Sequence, residues 1–328
     1  MKRRDFVTLI GGAAVGWPLA ARAQQAMPII GLLSGQRPEL SMPQVRAFYR
    51  GLGEAGFVEG RNIAIESRWA NNDYTRYPAL AVELAQRGVA LIAAIAHGST
   101  PATLAAKTAT ATIPIVFAVG SDAVKAGIVA SLNRPGGNVT GATFFANELA
   151  AKRLGLLHEL LPKAAVIGVL TNANFPGAED QLRDIREAAR TLRLEVFAVN
   201  ATTDNEIEQG FAALAARRTN GLFVGADPFL SSRQERLIAL AARQNLPAIY
   251  DIRLAAEAGG LISYGADSLD TQRWAGVYAG RILKGEKPSE LPVLQPTRFE
   301  LIINLKTAKQ LNLEIPANLI ARADEVIE

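Results

Sequence analysis

The chain has 328 residues, no cysteine, and 35 Lys and Arg against 31 Asp and Glu. Absence of cysteine excludes disulfides, thiolate metal ligands and a thiol-linked lipid, so stability has to come from core burial. Residues 1–23 hold four of the basic residues (Lys2, Arg3, Arg4, Arg22) and one acid (Asp5), which leaves 31 basic against 30 acidic residues beyond them and no basic surplus for nucleic acid.

The first predicted element is an export signal over residues 1–23. Arg3 and Arg4 are adjacent, an apolar glycine-rich run extends from Thr8 to Ala20, and Ala21-Arg22-Ala23 closes the segment. A basic start, a short apolar core and a small-x-small end form a cleavable leader. The paired arginines followed by Phe6 look like the twin-arginine address for exporting folded proteins. Gly11, Gly12, Gly16 and Pro18 make the core too short and too interrupted for a permanent membrane helix. The expected location is therefore the periplasm, as a soluble protein.

The remaining length fits two domains. Strand-like runs occur at 28–34, 62–69, 89–96, 113–119, 165–171, 194–200, 221–226, 246–251 and 261–264. Most are apolar throughout, as parallel strands covered on both faces are. Helical patterns lie between them, including 41–56, 123–132 and 178–192. In the last, Leu182, Ile185, Ala189 and Leu192 recur at steps of three and four. Alternating strands and helices predict an α/β fold with parallel sheets.

The pattern repeats. Ile113-Pro114-Ile115-Val116-Phe117 is answered by Leu246-Pro247-Ala248-Ile249-Tyr250, and Gly136-Gly137-Asn138-Val139 by Gly259-Gly260-Leu261-Ile262. Two similar Rossmann-like lobes joined by a hinge follow. One lobe would hold 27–140 and 268–295, the other 142–266 and 296–328. Ligands of such sheets sit beyond the carboxyl ends of the strands. The loops there are small and polar, suited to a polar small molecule. The candidate binding residues are Ser34, Gly35, His97, Ser99, Thr100, Ser121, Asp122, Asn172, Asn174, Asp227 and Tyr250.

Each candidate has an ordinary structural reading beside the functional one. Ser99 and Thr100 precede Pro101, so they cap a helix, and the free N–H groups of that turn could also receive a carboxylate. Ser121 and Asp122 could cap the stretch 123–132 or meet an ammonium. Asn172 and Asn174 form Asx turns or bind ligand. Asp227 is a turn former or an ammonium acceptor. Tyr250 stacks on a ligand or packs in the core, and Phe144, Phe145 and Phe229 pose the same choice.

Several phrases together resemble a known family. They are Ile113–Asp122, Ser131–Thr143, Gly225–Phe229, Tyr278–Pro288, Pro296–Lys309 and Ala321–Glu328. The chain is similar over nearly all of 27–328 to the type I periplasmic solute-binding proteins of ABC importers. More narrowly it resembles the ABC-transporter substrate-binding family that includes the tryptophan/tyrosine-binding proteins. Ala123 stands where relatives often carry proline. The resemblance implies capture of a small solute and delivery to an inner-membrane permease, with amino acids among the ligands.

The expected mechanism is closure of two lobes over a small polar ligand, with an amino acid or related carboxylate as the best match. Its carboxylate would meet Ser99-Thr100 and its ammonium Asp122 or Asp227. No cofactor or metal is expected, since His97 and His158 are the only histidines. Gly51-Leu52-Gly53-Glu54-Ala55-Gly56 has dinucleotide-site spacing, but it ends a helix instead of starting one. Nucleophile–base motifs are absent from the sequence, so an enzyme is not expected. The protein is expected to act as a monomer. An exported sensor signalling to a membrane receptor is the alternative role, and an exported enzyme a more remote one.

Overall fold

A computed structural model describes residues 27–328 apart from His97, Asn147, Glu148 and Pro176. The export segment and His97 therefore lie outside the described residues. The first sheet contains β1 (Ile29–Ser34), β2 (Ala64–Trp69), β3 (Leu91–Ala94), β4 (Ile115–Val119) and β5 (Val139–Thr143), in the order β2-β1-β3-β4-β5. Every pairing in it is parallel. Helices α1 (Pro38–Glu54), α2 (Tyr77–Gln86) and α3 (Ser99–Ala109) connect the strands.

After β5 the chain enters α4 (Ala150–Leu160) and builds a second sheet. Its strands are β6 (Val166–Thr171), β7 (Glu195–Asn200), β8 (Gly221–Val224), β9 (Ala248–Tyr250), β10 (Ile262–Ala266), β11 (Phe299–Asn304) and β12 (Glu325–Ile327), in the order β12-β11-β10-β9-β8-β6-β7. Only the β10–β11 pair is antiparallel among the described strands. The intervening helices are α5 (Ala178–Leu192), α6 (Asp204–Ala216), α7 (Pro228–Ser231), α8 (Gln234–Arg243), α9 (Arg253–Glu257), α10 (Ser268–Leu283), α11 (Leu305–Gln310) and α12 (Ala317–Arg322).

The alternation of a strand decides which layer each residue joins. On β1, Ile30 and Leu32 pack with Phe48 and Leu52 of α1 and with Tyr278 and Ile282 of α10. Leu33 faces the other way, with Leu84 of α2 and Ala106 of α3. The second sheet is likewise covered on both faces, by α4 and α5 on one and by α6 and α8 on the other.

Helix α10 follows a strand of the second sheet yet returns to the first. It crosses α1 at a pair of glycines. A Cβ on Gly276 would collide with the Phe48 carbonyl oxygen and lie 2.9 Å from the Leu52 amide nitrogen, and one on Gly51 would collide with the Arg273 carbonyl oxygen. The chain then passes back at Leu294. Its N–H donates to the Gly141 carbonyl and its carbonyl accepts from Thr143 N–H, both at 2.9 Å, before β11 begins.

Two expectations are corrected. The stretch 123–132 forms turns, not a helix. Gly127 sits at φ +70, and the Asp122 carboxylate accepts the N–H groups of Val124 and Lys125 to hold the first turn. The first sheet also keeps the chain to Thr143, paired with Val119, so a boundary at 140/142 would cut through β5. Strands β5, β11 and β12 were outside the nine predicted runs. β5 reads Val-Thr-Gly-Ala-Thr, small and polar in sequence, yet every residue is buried.

Candidate functional site

The carboxyl ends of both sheets point at one another, and a cavity lies between them. The first sheet supplies Ala96, Gly98, Ser99 and Thr100 after β3, Gly120 and Ser121 after β4, and Phe144 after β5. The second supplies Phe175 after β6, Asp227 and Ser231 after β8, and Asp251 and Ile252 after β9. Gln44 of α1 and Gln272 of α10 complete the wall.

One side of the cavity holds the start of a helix. Helix α3 starts at Ser99 behind Gly98, which adopts φ +72. The first-turn N–H groups of an α-helix have no intrahelical acceptor, and the helix dipole puts partial positive charge there. Gly98 is held from behind by the Tyr77 hydroxyl, which donates to its carbonyl at 2.8 Å. The hydroxyls of Thr100 and Ser121 are joined at 2.8 Å at the cavity edge. The Ser99 hydroxyl points inward and donates to the Ala118 carbonyl. Ser99 is thus the first helical residue and not a side-chain cap, because Gly98 takes the cap position.

The side formed by the second sheet is acidic. Asp227 is 4 % exposed. It caps α7 by accepting Leu230 N–H at 2.8 Å and also accepts the Asn172 side-chain amide at 3.1 Å. Burial is the main influence on its carboxyl and pushes it up to about 7, against the pull of these hydrogen bonds. Asp251 is raised in the same way by burial, and the Arg153 guanidinium opposes the rise. Phe144, Phe175, Ala146, Ile252 and Leu254 give the cavity an apolar part of its lining.

Among the ten predicted residues that are described, Ser99, Thr100, Ser121 and Asp227 line this cavity. Asn172 stands one layer behind, orienting Asp227 while its side-chain Oδ1 accepts Asn174 N–H at 3.0 Å. Asn174 lines a neighbouring compartment with Tyr74 and Arg233. Ser34 is fully buried at the end of β1, and Gly35 accepts Asn72 N–H in the next loop. Asp122 is spent on its turn. Tyr250 is 2 % exposed in the core of the second sheet, so it packs and does not stack on a ligand. Phe229 also belongs to that core, whereas Phe144 reaches the cavity.

Gln44, Gln272, Phe175, Ser231 and Ser268 are not legible as site residues in the sequence, while Asp251 is among the polar strand-end loops but not among the eleven candidates. Asp251 carried a usable signal, since it ends a strand as Asp227 follows one. Gln272 carried none. It is 1 % exposed and its side-chain oxygen accepts Ala96 N–H at 3.0 Å, supporting a loop residue at φ +61. Among the described residues, no group of three or more His, Asp or Glu could hold a metal ion, and no helix is long and apolar enough to cross a membrane.

A side-chain hydrogen bond joins the two walls directly. The Gln36 side chain, on the loop after β1, donates to the Pro228 carbonyl at the start of α7. This bond joins the two sheets beside the cavity.

Comparison with known proteins fits this geometry. The chain is 30% identical over 269 residues to a tyrosine-binding protein of Clostridioides difficile, covering 82% of this chain and 76% of that protein. Its fold matches an ABC domain in complex with L-Trp from Streptococcus pneumonia with a TM-score of 0.80 and 24% identity, over 92% of this chain and 99% of the other. It also matches the ligand-free, open structure of a substrate-binding protein with adhesive properties from Clostridium difficile, with a TM-score of 0.64, 28% identity and the same coverage. The sequence model of the ABC transporter substrate binding proteins matches residues 40–327. With two parallel-dominated sheets facing across a cavity, the chain belongs to the ABC-transporter substrate-binding protein family.

Proposed function

We propose that this protein captures a free amino acid with an apolar or aromatic side chain between its two sheets and hands it to an inner-membrane permease. The observation that carries this reading is one cavity lined by a helix start from the first sheet, by Asp227 and Asp251 from the second, and by apolar side chains. The ligand carboxylate meets the start of α3 with Thr100 and Ser121. Its ammonium meets Asp227 and Asp251, and its side chain lies against Phe144 and Phe175. The tyrosine-binding relative supports the ligand class.

Binding works by closure. The lobes, 27–143 with 268–295 and 144–266 with 296–328, move about the three passages near 143–146, 266–268 and 294–299. A ligand touching both walls makes its full contacts only in the closed form, and so shifts the open–closed balance toward it. The Gln36–Pro228 bond belongs to that closed form. The solute is bound and released unchanged, outside the cytoplasm, after residues 1–23 direct export.

The test is mass spectrometry of small molecules released by denaturing freshly purified protein, followed by calorimetry with the compound found. Ser99→Ala is expected to weaken binding modestly, because its hydroxyl braces the helix start. Asp227→Ala should weaken it tenfold or more. Release of a ligand without an amino group, or an unchanged affinity in both variants, refutes the pose.

A further inference from the structure

A second compartment adjoins the ligand cavity. Asn172 lines it and bonds Asp227 on the cavity wall. Both sheets contribute to its walls: Asn72 and Tyr74 come from the loop after β2, and Asn174 and Thr203 from the loops after β6 and β7. The Tyr74 hydroxyl and the Asn72 side-chain oxygen are buried there, and neither has a hydrogen-bond partner. A polar group left in that state costs about 1–3 kcal/mol, and native structures keep few of them.

Their own loop holds both groups in place. Asn71 and Asn72 are consecutive left-handed residues, at φ +57 and +66, a conformation uncommon outside glycine. The Asn72 N–H donates to the Gly35 carbonyl at 2.6 Å, which ties this turn to the loop after β1. The Tyr74 ring stacks on Tyr77, with centroids 6.0 Å apart and planes 6° from parallel. Tyr77 is the residue whose hydroxyl steadies Gly98 at the start of α3. On the other wall Asn174 is exposed, and only its N–H is used, on Asn172 Oδ1. Its side-chain amide makes no hydrogen bond among the described residues. A carboxamide offers an acceptor oxygen and a donor NH2 group. The opposite wall holds the complement, a phenol donor and an amide oxygen.

We propose that Asn72, Tyr74 and Asn174 form a second contact between the lobes, made as they close over the solute: the Asn174 side-chain oxygen accepts the Tyr74 hydroxyl, and its NH2 group donates to the Asn72 side-chain oxygen. The proposal rests on reading the two sheets as lobes that close on a ligand. The Gln36–Pro228 bond is already in place, whereas this contact is still to be made. Each unpartnered group gains its partner only on closure, so the contact favours the closed form over the open one. Tyr74 also links this edge of the cleft to the ligand site, because it stacks on the ring that holds Gly98.

The experiment uses the full chain. Tyr74→Phe keeps the ring and its stack and removes only the hydroxyl. Ligand-free protein should lose no stability in urea, since that hydroxyl has no partner to lose, while affinity for L-tyrosine should fall about fivefold in calorimetry. Asn174→Ala should lose at least as much, and the double variant no more than Asn174→Ala alone, because both changes break one contact. A packing role for Tyr74 predicts the reverse, lower ligand-free stability with unchanged affinity, and overturns the proposal. Additive losses, the sign of two groups that meet only water, overturn it as well. If wild type does not bind L-tyrosine, the ligand reading fails and a crosslink decides. The chain has no cysteine, so Asn72→Cys with Asn174→Cys supplies a single pair of thiols. A disulfide needs Cα atoms within about 7 Å. Its formation under mild oxidation of ligand-free protein supports the contact, and its absence overturns it.

Discussion

Affinity for an amino acid should fall steeply below neutral pH, and Asp227 sets the size of the effect. Its carboxyl is held near 7 by burial, so ligand-free protein carries a proton there on the acidic side of neutrality. An ammonium binds the ionised form, which means that binding expels the proton. At pH 5 about 1 % of a group with this midpoint is ionised, against about half at pH 7. Affinity should therefore drop about 50-fold between pH 7 and pH 5, which is about 2 kcal/mol. Above pH 7 the curve flattens.

The same group shapes stability in the opposite sense. Its folded-state midpoint is raised above the unfolded value of 3.8, so the native state holds the extra proton between pH 4 and 7. Its favourable contribution is complete below about pH 4 and is lost as pH rises through about 7. Asp227→Asn keeps an acceptor for Leu230 N–H and removes the charge. It should abolish both slopes. The assay is titration calorimetry from pH 5 to 7.5 in buffers of different ionisation heat, which also counts the proton released. Flat wild-type affinity over that range, or a slope that survives in Asp227→Asn, refutes the assignment.

Three other outcomes are expected. Gly276→Ala should destabilise the protein by about 1–3 kcal/mol in urea unfolding, because its Cβ meets rigid α1 backbone and not a side-chain end that could move. Gly98→Ala should cost about 1–2 kcal/mol from its left-handed φ, and should weaken ligand binding further because the new Cβ collides with the Tyr77 hydroxyl that steadies the start of α3. Gln36→Ala removes one bond across the closed cleft and should weaken affinity about fivefold, equivalent to about 1 kcal/mol. Small-angle scattering should show less ligand-induced compaction in that variant, and full wild-type compaction would discount the bond.

The sequence by itself determined the α/β class and the nine principal strands, and it singled out Ser99, Thr100 and Asp227, which the fold brings to one cavity. Those features rest on local periodicity and on polar residues placed just past apolar runs, both written in consecutive residues. Tertiary structure decided the rest. Tyr250 and Asp251 are neighbours, but one step along an extended chain reverses the face, so Tyr250 joins the core and Asp251 reaches the cavity. Strand β5 is too polar to announce itself, and becomes a strand because Gly141 lets it lie close against Phe117 of β4. Gln272 supports Ala96 from 176 positions away, and Gln36 meets Pro228 across 192. Contacts of that span leave no period in the chain. They exist because two sheets turn the same ends toward one another, and only the folded arrangement brings those ends together.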